Sequence, residues 1–424
     1  MQARKRSAAS TSSAPSAPTS KASASSRSRS TSPLDVVQKH RYSSGMRALL
    51  LGTLLLLLPL VSGGCYYGHL ASGQLRLLFL RQPIEEAVED SEHPAQTRAL
   101  LQLVASVRNF GSGLGLRVGD QYTSFVAWPG DRIVTTLVRT RSGSLEPVPW
   151  RYPLLGDLPY RGYFDRERAE TEAERLRRDE GFDVCTTGVS AYSTLGWLAD
   201  PVTSPMLEHG AARLVETLLH ELVHATAFFP GQADFNEGAA QFIGQEAAIR
   251  FFEEQAGEAA IPLPGAERVG DSIADRRLIA RATLAFRDRL KGIEDGPDRA
   301  AHRVSAEQEA RAALAALPLR VLDAEKVARA SRLSDACLAL RGTYVRDLPR
   351  HAQVLEALDG DLAAVIARLS RWAEEDRRIE DFFEIRASSG PLTTNTTDTT
   401  DTTDTTEDPR QSGGTETPEH SVAD

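Results

Sequence analysis

Two histidines and two glutamates are the residues of this chain best placed to do chemistry. The pentapeptide His220-Glu221-Leu222-Val223-His224 is followed by Glu237, thirteen residues after the second histidine. If the pentapeptide is helical, the two histidines lie about 40° apart around the axis, so both imidazoles can reach one metal ion. Glu221 then projects roughly 100° away from His220, beside the metal rather than onto it. This pattern is typical of hydrolases that bind Zn2+ through two imidazoles and use a nearby carboxylate as base.

The residues around the pentapeptide predict that it is helical. Apolar residues recur there at spacings of three and four, as on one face of an amphipathic helix. Pro205 is a suitable helix start and Pro230-Gly231 a suitable stop. The alternative is that both histidines are ordinary core or surface residues of a helix. The apolar positions are Leu207, Ala211, Leu214, Val215, Leu218, Leu219, Leu222 and Val223.

Glu237 is the preferred third ligand, because a catalytic zinc needs three protein ligands and one open position. We expect Asp234 to be the N-cap of the next helix, which would place Glu237 in its first turn. Glu237 could then be a capping-box carboxylate instead. Asp234 and Glu246 are rival ligands. Glu216, one turn before His220, is predicted to be a hydrogen-bond partner of a ligand or a solvated charge.

The negative charge that develops during hydrolysis needs a hydrogen-bond donor besides the metal. Tyr192 is our first choice, because it lies in a Gly/Ser-rich loop just before the motif helix. Tyr163, Tyr344 and His209 are further candidates. Each of these side chains can equally be a packing residue, since tyrosines often bury their rings.

Several separated segments, in the same order, resemble a family of bacterial putative aminopeptidases, which are HExxH zinc enzymes and predicted lipoproteins. The resemblance covers about residues 65–380 and implies a zincin-like peptidase domain. It also implies Zn2+ on His220, His224 and Glu237, with Glu221 as base. The segments are Cys65-Tyr66-Tyr67-Gly68, Gly73-Gln74-Leu75, Arg81-Gln82-Pro83-Ile84, Tyr160-Arg161-Gly162-Tyr163-Phe164, residues 188–197, the pentapeptide and Phe235-Asn236-Glu237.

Two segments depart from the pattern of that family. Gly238-Ala239-Ala240 follows the glutamate where a bulkier Ser-Phe-Ala type of run is expected. Ser334-Asp335-Ala336 stands where an Asn-Asn-Ala run is usual. Both departures bear on substrate contacts rather than on the metal ligands.

The N-terminal residues predict export. Residues 1–45 are basic and rich in Ser and Ala, so we expect them to be disordered. The apolar run 48–61 is too short to span a bilayer and has the length of a signal-peptide core. The Val61-Ser62-Gly63-Gly64-Cys65 segment resembles a lipobox. We therefore expect residues 46–65 to be a signal peptide, with Met46 as the start and Cys65 as a lipidated residue. The alternative is an ordinary signal peptide with an incidental cysteine.

The net charge and the cysteine content indicate which partners and which redox compartment suit this protein. Residues 1–65 carry nine Lys/Arg and one Asp, and removing that net +8 from the chain total of −9 leaves −17 for the remainder. An acidic chain without basic clusters argues against nucleic-acid binding. Cys185 and Cys337 could pair in an exported protein, but the sequence does not show that they meet.

The predicted fold class is α+β: a zincin-like metallopeptidase domain, mainly helical with a small mixed sheet, and a helical C-terminal part. We place the zincin-like domain over residues 66–265 and the helical part over 266–386, with breaks at Gly296-Pro297, Pro318, Pro349 and Gly360. Residues 387–424 form an acidic Thr-rich tail that we expect to be disordered. Helices are expected over 85–110 and 165–180, and strands within 122–128, 133–139 and 182–187.

The preferred function is a zinc peptidase, and specifically an aminopeptidase, that acts on peptides at the cell envelope. A lipid anchor would attach it to the membrane, on the periplasmic side. An aminopeptidase needs a carboxylate for the free α-amino group, for which Asp200 and Asp234 are candidates. Two alternatives are a non-catalytic envelope binding protein stabilised by zinc and a metal-dependent amidase that acts on cell-wall peptides.

Overall fold

Helices and short strands alternate along the residues that the computed structural model describes, which are 64–152, 156–191, 199–255, 262–293, 296–345 and 347–385. Tyr192, the predicted extension 1–45, the signal residues up to 63 and the predicted tail 387–424 lie outside these ranges. The helices are α1 (Gly64–Phe79), α2 (Ile84–Glu89), α3 (Ala95–Gly113), α4 (Arg166–Glu180), α5 (Ser204–Glu208), α6 (Gly210–Thr226), α7 (Ala233–Glu254), α8 (Ala266–Lys291), α9 (Arg299–Ala315), α10 (Ala324–Ala330), α11 (Asp335–Val345), α12 (Leu348–Ala357), α13 (Leu362–Glu374) and α14 (Ile379–Phe382). The strands are β1 (Arg81–Pro83), β2 (Ser124–Val126), β3 (Val134–Arg141), β4 (Trp150–Tyr152), β5 (Gly156–Leu158), β6 (Tyr160–Tyr163), β7 (Phe182–Val189) and β8 (Val202–Thr203).

Within the described residues the strands form three small sheets. In the first, β2 is antiparallel to β1 and parallel to β8, so the sheet is mixed. In the second, β3 lies between β6 and β7 and is antiparallel to both, with Val138 paired to Tyr160 on one side and to Cys185 on the other. The third is the β4–β5 hairpin. The fold is therefore α+β and mostly helical, as the sequence predicted.

The main apolar core surrounds α7. This helix is apolar on most of its circumference, as expected of a helix buried on several sides, and α6, α8, α11, α12 and α13 pack against it. The predicted apolar stripe of α6 is buried, with Leu218, Leu219 and Leu222 fully inaccessible. The motif helix is thus confirmed, and its apolar face fixes the pentapeptide next to α7.

Several predicted boundaries are wrong for reasons of local backbone chemistry. The helix expected over 85–110 is two helices, because Pro94 has no N–H to continue the first one and instead occupies the N-cap position of α3. The break expected at Pro349 is confirmed: α11 ends at Val345 and α12 begins at Leu348, with Pro349 in its first turn, where the missing N–H costs nothing. Asp234 is not an N-cap, because α7 already begins at Ala233 after Gln232.

Other boundaries are confirmed. The charged helix α4 has Asp165 as N-cap, whose side chain accepts from the Arg168 N–H, and it ends at Gly181 with a φ of 67°. The start of the motif helix is wrong, because Pro205 belongs to the short helix α5 and α6 begins separately at Gly210, which has a φ of 78°. The proposed domain division at 265/266 stays a prediction. None of the helices in the described ranges has the length and apolar character needed to cross a bilayer.

Cys185 on β7 and Cys337 on α11 form a disulfide, which answers a question that the sequence left open. Both residues are buried. A native disulfide typically contributes about 2–4 kcal/mol to stability by restricting the unfolded chain. The bond fixes the C-terminal helices to the sheet that carries β6.

His351 on α12 is fully buried, and neither of its ring nitrogens has a hydrogen-bond partner within the described structure. Its ring packs among Phe235, Phe242, Phe382 and Phe383. Burial, with a smaller contribution from the nearby Arg350 charge, lowers the pKa of His351 to about 3. A neutral imidazole without a partner is costly to bury, so this is a weak point of the core.

Gly238 faces this imidazole. A Cβ at position 238 would lie 3.6 Å from Nε2 of His351, which is ordinary van der Waals contact. Gly238→Ser should raise the free energy of unfolding by about 1–2 kcal/mol, because it removes a helical glycine and brings a hydroxyl to the unpartnered nitrogen. Urea unfolding monitored by circular dichroism measures the effect.

Gly238→Ala is the matched control, since it also replaces the helical glycine but adds no hydroxyl. In a His351→Phe background, Ser and Ala should become equivalent. A serine variant no more stable than the alanine variant in the native background would refute the predicted hydrogen bond.

Candidate metal centre

His220 and His224 lie on the same face of α6, as their spacing predicted. Their Nε2 atoms are 3.1 Å apart, and the two rings meet edge to face. The Oε2 atom of Glu237, from α7, lies 3.4 Å from the His220 Nε2 and 3.6 Å from the His224 Nε2. The three side chains therefore converge on one point from two adjacent helices.

This triangle fits a metal ion. Zinc binds imidazole nitrogen and carboxylate oxygen at about 2.0–2.2 Å, and two tetrahedral ligands are then roughly 3.3 Å apart. The observed separations of 3.1–3.6 Å bracket that value. Among the described residues these three form a group that could hold a metal ion. Two nitrogen donors and one carboxylate suit zinc and related divalent transition metals.

The electrostatic environment of the point where the three side chains meet favours a cation. Burial opposes the charge of Glu237, but hydrogen bonds from both imidazoles lower the pKa of this carboxyl to about 2. Burial also opposes a proton on His220, yet the carboxylates of Glu237 and Glu221 raise the pKa of His220 above its ordinary value. Glu237 is therefore ionised at neutral pH, and negative charge surrounds the two imidazoles.

The connection between α6 and α7 is held by Asn236. Its side-chain oxygen accepts from the Phe229 N–H at 3.0 Å, and its Nδ2 donates to the Phe229 carbonyl at 2.8 Å. Both bonds are buried, so they close the connection at a fixed length. Because Glu237 is the next residue, Asn236 sets where the third ligand enters the site. Sequence reasoning quoted Asn236 only as part of the resemblance and assigned it no role.

The other acidic residues that the sequence offered near the site do not join the ligand group. The predicted alternatives for Glu216 are both wrong: it is buried, forms ion pairs with Arg213 and Arg276, and accepts from Gln241. Glu246 pairs with Arg250 and Arg277. Asp234 is not among the grouped ligands. Glu237 also has no capping-box role, because it is not the third residue after the Gln232 N-cap.

Of the predicted hydrogen-bond donors, Tyr192 lies outside the described residues, and the Tyr344 side chain is likewise not described. Tyr163 is a packing residue, buried against Tyr66. His209 is exposed between α5 and α6. Tyr192 and Tyr344 therefore stay predictions, whereas the placement of Tyr163 and His209 favours neither of them as the donor.

Two tyrosines that sequence reasoning did not select lie within electrostatic range of the key glutamates. Partial burial raises the pKa of the Tyr160 hydroxyl, although the residue as a whole is 46% exposed, and the charge of Glu237 raises this pKa further. Burial raises the pKa of Tyr122, with a second contribution from Glu221. Tyr122 also has a φ of 59°, a region in which a bulky side chain is rare and which is frequent near functional sites. Tyr160 could have been found from the sequence, because it begins the Tyr-Arg-Gly-Tyr-Phe motif. No sequence motif pointed to Tyr122.

The chain matches the model of a protein family described as "Putative aminopeptidase" over residues 65–381. Since this match covers most of the chain, the protein belongs to that family. The family description points to a peptidase with peptides as substrates. No curated protein and no solved structure matches the chain.

A close crossing of α6 and α7 generates a testable prediction. A Cβ at Gly244 of α7 would lie 3.0 Å from the His220 backbone nitrogen and 3.1 Å from its Cα. Gly244→Ala should displace the backbone of His220 and lower zinc affinity about 10–100-fold, as loss of ligand support commonly does. Zinc affinity is measured by competition with a chromophoric chelator.

Gly270→Ala on α8 is the control, because nothing lies within 4 Å of a Cβ there. It should bind zinc like the parent. Equal zinc affinity in the Gly244 and Gly270 variants would show that the helix crossing does not control the ligands.

Proposed function

We propose that this protein is a zinc-dependent peptidase with a zincin-like fold, and specifically an aminopeptidase. The observation that carries the proposal is the convergence of His220, His224 and Glu237 on one point, with Glu221 on the same helical turn. Membership of the "Putative aminopeptidase" family supports a peptide substrate. A family match alone gives no mechanism, whereas the ligand geometry provides one.

His220, His224 and Glu237 would hold the ion, which when bound supplies a Lewis acid that polarises a peptide carbonyl and acidifies water. Glu221 is half-buried and contributes no ligand to the triangle, so its carboxylate is free to accept a proton from water. It would then return this proton to the leaving amine. General acid–base transfer of this kind typically contributes roughly 10²–10⁴-fold to the rate.

Tyr160 is our candidate for the donor that stabilises the developing oxyanion. It lies at the start of β6, and its hydroxyl is near enough to Glu237 for that charge to raise its pKa. A tyrosine hydroxyl whose pKa is at or above its ordinary value is protonated at neutral pH, so it can donate a hydrogen bond. Tyr192, chosen from the sequence, stays an alternative donor.

Aminopeptidase action needs an anionic group for the substrate amine. Of the two candidates from the sequence, Asp200 is buried, whereas Asp234 is partly accessible in the first turn of α7, three residues before Glu237. Asp234 is therefore the better candidate for this contact.

We further propose that the protein works at the cell envelope, exported and anchored through a lipidated Cys65. The Cys185–Cys337 disulfide supports export, because structural disulfides persist in oxidising compartments. The apolar run 48–61 directly before the lipobox-like segment supports a signal peptide.

Glu221→Gln tests the proposed base. The amide cannot accept a proton, so peptide hydrolysis should fall by at least 10²-fold while one zinc per chain stays bound. Digestion of a peptide library followed by mass spectrometry gives the rate and the position of cleavage, and metal analysis gives the zinc content. Glu253→Gln, an exposed position on α7, is the matched control. A Glu221→Gln protein with full activity would remove this residue from the mechanism.

Tyr160→Phe tests the proposed donor. Loss of one such donor commonly costs about 10²–10³-fold in kcat, and we expect kcat to fall with little change in KM or zinc content. Steady-state kinetics on the peptide identified by the library gives both constants. Tyr67→Phe removes an exposed phenol from α1 and should leave kcat unchanged. If the two variants have the same kcat, Tyr160 does not act on the transition state.

A further inference from the structure

The first helix of the described chain has one face that packs firmly against the protein. Leu77 is fully buried beside Val126 and Trp128. Gly73 approaches the ring of Phe164 so closely that a Cβ there would overlap it. The Nε2 atom of His69 accepts from the Phe164 N–H at 2.9 Å. These contacts hold α1 in one orientation on the rest of the molecule.

The opposite face of α1 is apolar and faces solvent. Phe79 is 82% exposed and Leu75 50% exposed, and Tyr67, Leu78 and the adjoining Leu80 are also exposed. At 100° per residue, Tyr67, Leu75, Leu78 and Phe79 fall within an arc of roughly 120°. We call this set, together with Leu80, the α1 outer face. Isolated exposed apolar residues are normal, but a contiguous group usually marks a contact surface.

The charge of α1 differs from that of the rest of the chain. The helix contains no Asp or Glu, and its one arginine, Arg76, lies over the ring of Trp128 at 5.1 Å. Residues 66–424 carry a net charge of −17 by the count given above. An anionic lipid surface would repel most of this protein. Because α1 has no acidic residue, it does not contribute to that repulsion.

The chain that precedes α1 indicates what covers the outer face. The apolar run 48–61 ends three residues before α1 begins at Gly64. If Cys65 carries the lipid, the acyl chains are attached within the first turn of α1. If the run 48–61 is not removed from the chain, its apolar residues end directly before the first turn of α1. In both cases α1 begins at the bilayer surface.

We propose that the α1 outer face is a membrane-contact surface that lies in the headgroup region of the bilayer. It adds an interfacial contact to the N-terminal anchor, and the strength of such a contact scales with the apolar area that it buries. Because α1 is fixed to the fold, this contact also orients the protein on the membrane. The proposal rests on the proposed N-terminal attachment but not on peptidase activity.

The test uses the full chain, purified from its producing membrane and reconstituted into phosphatidylcholine–phosphatidylglycerol vesicles. Phe79→Cys and Val304→Cys each receive a thiol-reactive fluorophore. Val304 is the matched control, because it is an apolar residue 56% exposed on α9. Cys185 and Cys337 are bonded to each other and do not react, and the labelled parent chain gives the contribution of Cys65.

We expect the label at position 79 to be quenched by nitroxide lipids and shielded from iodide in water. The label at position 304 should show the reverse. Equal iodide quenching at both positions overturns the proposal, as does a chain that does not bind the vesicles. A label at 79 that is shielded from iodide yet not quenched by nitroxide lipid also overturns it, because a second copy or the run 48–61 then covers the face.

Intact-mass measurement separates the contact from the anchor. An unacylated chain whose label at 79 is quenched by nitroxide lipid supports the α1 contact and refutes only the acylation. The Glu221→Gln chain should give the same quenching as the parent, so loss of the proposed chemistry and loss of the membrane contact are distinguishable.

Discussion

The site depends on the packing of α6 against α7. The two helices approach so closely at Gly244 that a single methyl group would press on the backbone of His220. Only at this separation can Glu237 of one helix reach both imidazoles of the other, at 3.4 and 3.6 Å. Asn236 closes the connection between the helices at one end, and the buried leucines of α6 belong to the same apolar core as the buried residues of α7. Rigid elements of this kind hold metal ligands better than loops do.

Ion pairing divides the acidic residues of these two helices into two groups. Arginines from α6 and α8 hold Glu216, and Arg250 and Arg277 hold Glu246. These carboxylates bind the helices to one another and are not offered to an ion. Among the described residues the ion-pair partners of Glu237 are the two imidazoles, and Glu221 lies beside them. The surrounding salt bridges thus concentrate the available negative charge at the point where the imidazoles meet.

Local patterns were sufficient to predict the parts of the site that lie close together in the sequence. The apolar stripe of α6 placed His220 and His224 on a common face, and the short spacing to Glu237 indicated the third candidate ligand. Contacts that depend on how the elements pack could not be predicted in this way. The position of Tyr160 follows from its pairing with Val138 across two strands, and the role of Gly244 follows from which face of α7 meets α6.

Errors in the predicted elements have the same origin. Pro94 precedes the first turn of α3, although the sequence suggested one continuous helix over 85–110. Proline is compatible with a first helical turn, so only the neighbouring residues decide between a start and a stop. Ion pairing of Glu216 was also invisible, because Arg276 is 60 residues away in sequence.

The Cys185–Cys337 bond spans 152 residues, and the ligands His220, His224 and Glu237 all lie inside this interval. The covalent ring therefore encloses the helix pair on which the site depends. When the chain is made under reducing conditions, this ring is open, and only non-covalent contacts hold the two helices together. Chains of identical sequence can therefore differ in how firmly the three candidate ligands are held in place, according to the redox conditions of the compartment in which each chain folded.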